Sequence, residues 1–252
     1  KAYRQYIRQT RMMKENFNID VQNHLFNWID EEIIIGKIRP KIGVGRAEDF
    51  FLGLHASNIK TSRIMLKEMT RSISDNTPLK FISQDFKEHS IYYIDLKGFF
   101  KIFAGKIFQR IEKPYYTYID DYVVFSNSAA NLKSLIEDYN AGRVLKKDDS
   151  YEKMYKELDR NSNINIYLKT NQMYTTLYYL TSFSEQRELE RYRDLLLSME
   201  DIGMSIQPGK EFLNTRVAIN LNANVKDDPI VSFYENEAAK PANDYIENLD
   251  FR

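Results

Sequence analysis

The chain has 252 residues, 43% of them hydrophobic and 29% charged, enough to bury one large core or two small ones. Its 36 basic and 36 acidic side chains cancel, so no global field draws it to nucleic acid or to an anionic membrane. The lack of cysteine excludes disulfides and thiolate metal sites while leaving the compartment open, and no apolar run is long enough to span a membrane.

Residues 1–17 place Tyr3, Tyr6, Ile7, Thr10, Met13 and Phe17 at helical spacing, with Lys1, Arg4, Arg8, Arg11 and Lys14 between them. A short second helix starts near Asp20 and carries Leu25, Phe26 and Trp28, the single tryptophan. The β-branched run EEIIIGKI at 31–38 reads as a strand, Gly36, Pro40, Gly43 and Gly45 break the chain, and 49–54 reads as the next strand. Ile59, Met65, Leu66, Met69 and Ile73 then recur at helical spacing from Ser57 to Ser74, and Asn76-Thr77-Pro78 ends the pattern. Strands are expected at 79–82 and 91–96, and a helix over 98–110.

The segment YYTYIDDYVVFSNS, residues 115–128, reads as a hairpin. With Asp120 and Asp121 as the two central turn residues, Ile119 faces Tyr122, Tyr118 faces Val123, Thr117 faces Val124 and Tyr116 faces Phe125. Aromatic to β-branched pairs of this kind stabilise antiparallel strands by about 0.2–1 kcal/mol each. Ser126, Asn127 or Ser128 can cap the helix that follows, whose inner face is Leu132, Leu135, Ile136 and Tyr139, ended by Gly142. Asp149 and Glu152 form a capping box for the next helix, which carries Tyr151, Met154, Tyr155 and Leu158.

Ile164, Ile166 and Leu168 alternate as a strand. Helical sequence runs from about 171 to 201, broken near Thr181 to Ser184, with Leu189, Tyr192, Leu196 and Met199 along one side. Met204 to Gln207, a Pro208-Gly209 turn and LNTRVAINLN make a second hairpin. Residues 226–252 hold seven carboxylates against Lys226, Lys240 and Arg252 and read as an acidic extension. Lys1 and Arg252 read as cut points in a longer chain.

These elements define an α+β class: antiparallel sheets built from hairpins, with amphipathic helices packed on them. Residues 1–225 form the α+β domain, either undivided or as lobes at about 1–110 and 111–225. Strand, Ser/Asn-rich cap and amphipathic helix occur at 49–74 and again at 122–140, which suggests an internal duplication.

One stretch resembles chemistry. Tyr118-Ile119-Asp120-Asp121 is similar to the hairpin on which reverse transcriptases hold two magnesium ions, and Ile94-Asp95-Leu96-Lys97 is similar to their first aspartate motif. Against this, Asp95 precedes Asp120 by only 25 residues, no Gln-Gly element lies between them, and a neutral chain is poorly suited to a polyanion. Histidines 24, 55 and 89 have no metal-ligand spacing. Glu31-Glu32, Asp148-Asp149 and Asp227-Asp228 leave a glycosidase open without recommending one. The basic N-terminal helix could serve a membrane surface. Tyr116, Tyr118 and Phe125 are expected in a core, whereas Tyr115 and Tyr122 are candidates for an interface or ligand surface.

PYYTYIDDYVVFSNSAANLKSLIEDY, the spacing to SNINIYL and then to GMSIQPGKEFLNTRVAINLN, and FNWIDEEI near residue 26 carry a further likeness. Over residues 17–222 the chain resembles a family of uncharacterised bacterial cell-envelope proteins defined only by a domain of unknown function. That resemblance implies an α+β fold and an extracytoplasmic location, with a hairpin turn where Asp120-Asp121 stands. It brings no catalytic residue, cofactor or metal. The expected function is a non-enzymatic binding or scaffolding module for protein or glycan in the envelope, with no nucleic-acid partner. The alternatives are a carboxylate-dependent enzyme, using metal at Asp120 and Asp121 or acting as a glycosidase, and a membrane-surface adaptor.

Overall fold

The computed structural model describes residues 2–37, 50–78, 81–95, 100, 113–159, 161–210 and 212–222. The Gly-rich loop after Gly36, nearly all of the expected helix over 98–110 and the acidic extension lie outside them. The chain divides into two compact units, Lys1–Gly142 and Arg143–Arg252. The division falls after Gly142, because the hairpin at 115–126 pairs on both sides with strands that precede residue 110.

In the first unit a six-stranded antiparallel sheet comprises β1 (Ile29–Gly36), β2 (Phe51–Ala56), β3 (Phe81–Phe86), β4 (His89–Ile94), β5 (Tyr115–Ile119) and β6 (Tyr122–Ser126). Their spatial order is β1-β2-β6-β5-β4-β3. Helix α1 spans Ala2–Phe17, α2 Ile59–Asn76 and α3 Ala129–Asn140. The expected helix after Asp20 is one π-type turn, Gln22–Phe26, which buries Leu25. Just beyond it Trp28 is buried and donates Nε1–H to the His24 carbonyl at 2.9 Å.

The shape shared by 49–74 and 122–140 is realised twice. Asn58 caps α2 by accepting from the Lys60 and Thr61 N–H groups, each at 3.0 Å. Ser128 caps α3 by accepting from Asn131 N–H at 3.4 Å. In each copy the strand residues two, four and six before the cap point towards the helix that follows. Strand pairing then decides which face each helix covers. Leu52 pairs with Phe125 and Leu54 with Val123, so the residues facing α2 in β2 share a face with β6 residues that face away from α3. The helices therefore cover opposite faces. Leu66, Met69 and Ile73 of α2 bury against Leu52, Phe125 and Tyr116, whereas Leu132 and Ile136 of α3 bury against Val124 and Ile91.

Tyr116 and Tyr118 lie in the first cluster, as their alternation predicts. Tyr116 stacks on Tyr92 with centroids 4.9 Å apart, and Arg63 lies 3.9 Å over the Tyr118 ring. Burial pushes both hydroxyls well above the usual tyrosine range. The folded state thus holds protons that the unfolded chain releases above about pH 10, and the stability this contributes is complete below that pH and lost as pH rises towards the folded values.

The second unit has a three-stranded antiparallel sheet, β7 (Ile164–Lys169), β8 (Met199–Pro208) and β9 (Leu213–Leu221), in the order β7-β8-β9. Helices α4 (Asp149–Glu157), α5 (Thr170–Leu180), α6 (Phe183–Arg191) and α7 (Arg193–Ser198) accompany it. Two expectations are corrected. The cap of α4 is Asp148, whose side chain accepts from Tyr151 N–H at 3.0 Å, and Glu152 pairs instead with Lys156 at 2.9 Å. The helical sequence ends at Ser198, so Met199 begins a strand of ten residues.

Helix α4 lies directly on β8, because Gly203 leaves room for it. A Cβ there would come within 2.6 Å of Met154 Sδ and 2.9 Å of Leu158 Cδ1. Both side chains are buried.

Gly203→Val is expected to lower unfolding free energy in urea by about 1–3 kcal/mol, and an unchanged value would mean that α4 does not rest on β8. In alkaline titration the tyrosinate absorbance is expected to rise in two steps, the second coinciding with loss of far-ultraviolet circular dichroism. A single step near about pH 10 in folded protein would contradict the buried tyrosines.

Candidate functional site

The hairpin forms with the expected register, Ile119 opposite Tyr122, Tyr118 opposite Val123, Thr117 opposite Val124 and Tyr116 opposite Phe125. Asp120 occupies the left-handed region at φ 48°, which its short polar side chain tolerates. Its carboxylate accepts a hydrogen bond from the Tyr139 hydroxyl of α3. The Asp121 carbonyl accepts from Ala56 N–H at 2.8 Å, tying the turn to the end of β2.

Asp95 is not brought to this turn. It follows β4, pairs with Lys113 at 2.5 Å, and that hydrogen bond holds its carboxyl below the usual range. Lys113 precedes β5 and Asp120 follows it, so the two aspartates stand at opposite ends of a five-residue strand, about 16 Å at the usual rise per residue. Two-metal catalysis needs its carboxylates around ions roughly 4 Å apart. Among the described residues no group of three or more His, Asp or Glu side chains has the arrangement of a metal site.

Tyr115 and Tyr122 share the α3 face of the hairpin but sit at its two ends, opposite Ser126 and Ile119. Both are half-buried. The Tyr115 ring lies 4.7 Å from Tyr93. Tyr122 donates to Glu32 Oε2 at 2.5 Å, and its ring lies 4.9 Å from His55, whose Nδ1 is 3.4 Å from Asp30 Oδ2. Partial burial and then the Glu32 carboxylate push the Tyr122 hydroxyl above its usual range. The patch is a small acidic cluster around one tyrosine, built from β1, β2 and β6.

Of the other carboxylate pairs considered for catalysis, Asp227-Asp228 lies outside the described residues, and Glu32 and Asp148 have structural work. Asp148 caps α4 and accepts from Lys169 at 2.9 Å, the bond that chiefly lowers its carboxyl. On α1, Met13 is buried while Arg4, Arg8, Arg11 and Lys14 are exposed, a solvated basic face. An open polar cleft lies at the turn end of β8 and β9, but its walls bond to their own surroundings. Ser205 accepts from Asp159 N–H at 3.2 Å, Gln207 from Asn163 N–H at 3.0 Å, and Arg216 donates to the Glu157 carbonyl at 3.4 Å.

A different surface stands out, one that sequence reasoning did not single out. In the three-stranded sheet the residues facing α4 are Tyr167 and Lys169 on β7, Asp201, Gly203 and Ser205 on β8, and Asn220 on β9. They hold the helix by polar contacts: buried Asp201 accepts from Ser150 and, at 2.9 Å, from Tyr167, while Asn220 donates to the Ser150 carbonyl at 3.1 Å. The opposite face is aliphatic. Ile164, Ile166 and Leu168 of β7 are 48%, 38% and 39% exposed, and Val217 and Ile219 of β9 are 52% and 43% exposed. Between them Ile202, Met204 and Ile206 of β8 are half-buried. The signal was present in the alternation INIYL, IGMSI and TRVAIN, which marks an apolar face on every strand without saying which face a helix covers.

The fold and this surface define an α+β protein with two antiparallel-sheet units, one of which presents an open aliphatic sheet face. Residues 1–223 match the family described as "Protein of unknown function (DUF3352)", and the chain belongs to it. No curated protein and no solved structure matches the chain. Among the described residues no helix is long and apolar enough to cross a membrane.

The turn reading of Asp120 is testable by substitution. Asp120→Asn keeps both an acceptor for Tyr139 and tolerance of the left-handed region, and is expected to change stability by less than about 0.5 kcal/mol. Asp120→Val is expected to cost about 1–2 kcal/mol in urea unfolding. Equal losses from both would show that the carboxylate charge, not the bend, is what the site requires.

Proposed function

We propose that the chain is a non-enzymatic binding or scaffolding module of a larger bacterial envelope protein, placed outside the cytoplasm. The observation that carries the binding role is the open face of β7, β8 and β9, where five aliphatic side chains are each more than a third exposed. A contiguous apolar patch of this kind on a folded domain marks a surface that meets another apolar surface. The envelope setting rests on the likeness of the hairpin, the cap and the two later strands to bacterial envelope proteins.

The chemistry-bearing residues support the same reading, because each does something else. Asp120 shapes a turn and receives Tyr139, Asp95 pairs with Lys113, and Tyr122 donates to Glu32.

A photoreactive side chain placed at position 217 of the full-length protein, made in cells, is expected to form a discrete crosslinked species. The same group at position 153, on the exposed side of α4, is expected to form none. Equal yields from the two positions, or none from either, would remove the binding role from this face.

A further inference from the structure

We infer that the occupant of the open sheet face is a second copy of this chain, the two sheets packing face to face about a two-fold axis. The inference rests on the reading of this face as a protein-binding surface and goes on to name the partner. Three properties of the face carry it.

The first is area. With Ile164, Val217 and Ile219 about half exposed and Ile166 and Leu168 somewhat less so, the face holds accessible apolar surface on the order of 600 Å² per copy, so two copies would bury roughly 1,200 Å² in total, the lower end of the range for stable association.

The second is charge. The facing positions Ile164, Ile166, Ile202, Met204, Thr215 and Val217 include no ionisable side chain. Apposing two copies therefore brings no like charges together. It also leaves no cation to meet a lipid phosphate or a nucleic acid.

The third is shape. Three antiparallel strands with mostly β-branched side chains on alternate positions form one continuous sheet surface, which carries the twist common to all sheets. Surfaces of that kind pack on one another about 10 Å apart with strands within about 30° of alignment, as in a sandwich core. An isologous contact needs one self-complementary patch and nothing else.

Sedimentation equilibrium of the chain is expected to show a dimer, with partial dissociation on dilution. Two double variants, Ile166→Lys with Val217→Lys and Ile166→Glu with Val217→Glu, are each expected to be monomeric, with association weakened at least about 100-fold, and to keep the native circular dichroism spectrum. An equimolar mixture of the two is expected to recover dimer, because opposite charges then face each other. Misfolding would not produce that recovery.

A dimer that persists in both variants uses another surface and overturns the inference. A monomeric parent chain overturns it as well, and a hydrophobic dye then separates the two claims. Dye bound by the parent and lost in the lysine variant leaves the face open for a different partner, so the binding role stands. Dye bound by neither shows the face covered by the chain itself, and the binding role falls too.

Discussion

The antiparallel pairing of β2 with β6 is the constraint on which the first unit depends. Five residue pairs, from Phe51–Ser126 to His55–Tyr122, join two strands that each run into a capped helix. Because paired residues share a face, shifting this register by one would turn Leu52 and Leu54 away from α2 or turn Val124 away from α3. The observed register lets one sheet serve two helices, with Leu66, Met69 and Ile73 below it and Leu132 and Ile136 above it. The aromatic ladder of Tyr92, Tyr116 and Phe125 extends the first of these cores across neighbouring strands. Asp120 and Asp121 matter within this arrangement because they close the hairpin that places β6 beside β2.

Much of that arrangement was legible from residue types alone. The register of the 115–126 hairpin follows from the period-two alternation of Tyr and Val around two residues able to bend. A Ser/Asn-rich cap was readable before each helical repeat, and the structure assigns it to Asn58 and to Ser128, one of three candidates at the second helix. The β3–β4 hairpin was harder. Its turn is Lys87-Glu88, with Lys87 at φ 55° and no Gly, Asn or Pro to announce it. The start of β8 was hidden for another reason, since LLLSMEDIGM continues a helical apolar spacing past Ser198, and only pairing with β9 shows that Met199 is extended. The position of Asp95 relative to Asp120 belongs to tertiary structure: the spacing of 25 residues already spoke against a shared site, and the strand between them is what holds the two aspartates apart.

The second unit inverts the usual logic of an amphipathic sheet. A helix ordinarily covers the apolar face and leaves the polar one to water. Here α4 covers Gly203, Ser205 and the fully buried Asp201. A buried carboxylate is costly unless it is satisfied. Asp201 meets that cost with two hydroxyl donors, Ser150 and Tyr167, close to the start of α4, where the helix end carries partial positive charge. Lys169 and Asp148 pair beside it at 2.9 Å. Apolar contact adds Met154 and Leu158 over the glycine. The helix is thus held by directional bonds at its first turn and by close packing at its last.

The edges of the two sheets sharpen the meaning of the open face. An unpaired edge invites strand addition unless charge, a bulge or brevity blunts it. In β1 the acidic run Asp30, Glu31 and Glu32 coincides with a register irregularity between Ile29 and Ile33, two such devices in one half of an edge strand. Asp85 stands on β3, and Lys169 and Arg216 stand on the outer strands of the smaller sheet. No comparable device interrupts Ile164, Ile166 and Leu168 or Val217 and Ile219 on the face that they share. A chain that guards its edges and sets Ile164, Ile166, Leu168, Val217 and Ile219 on one face with no charge between them has there the surface that the proposed association would use, by side-chain packing rather than by backbone pairing.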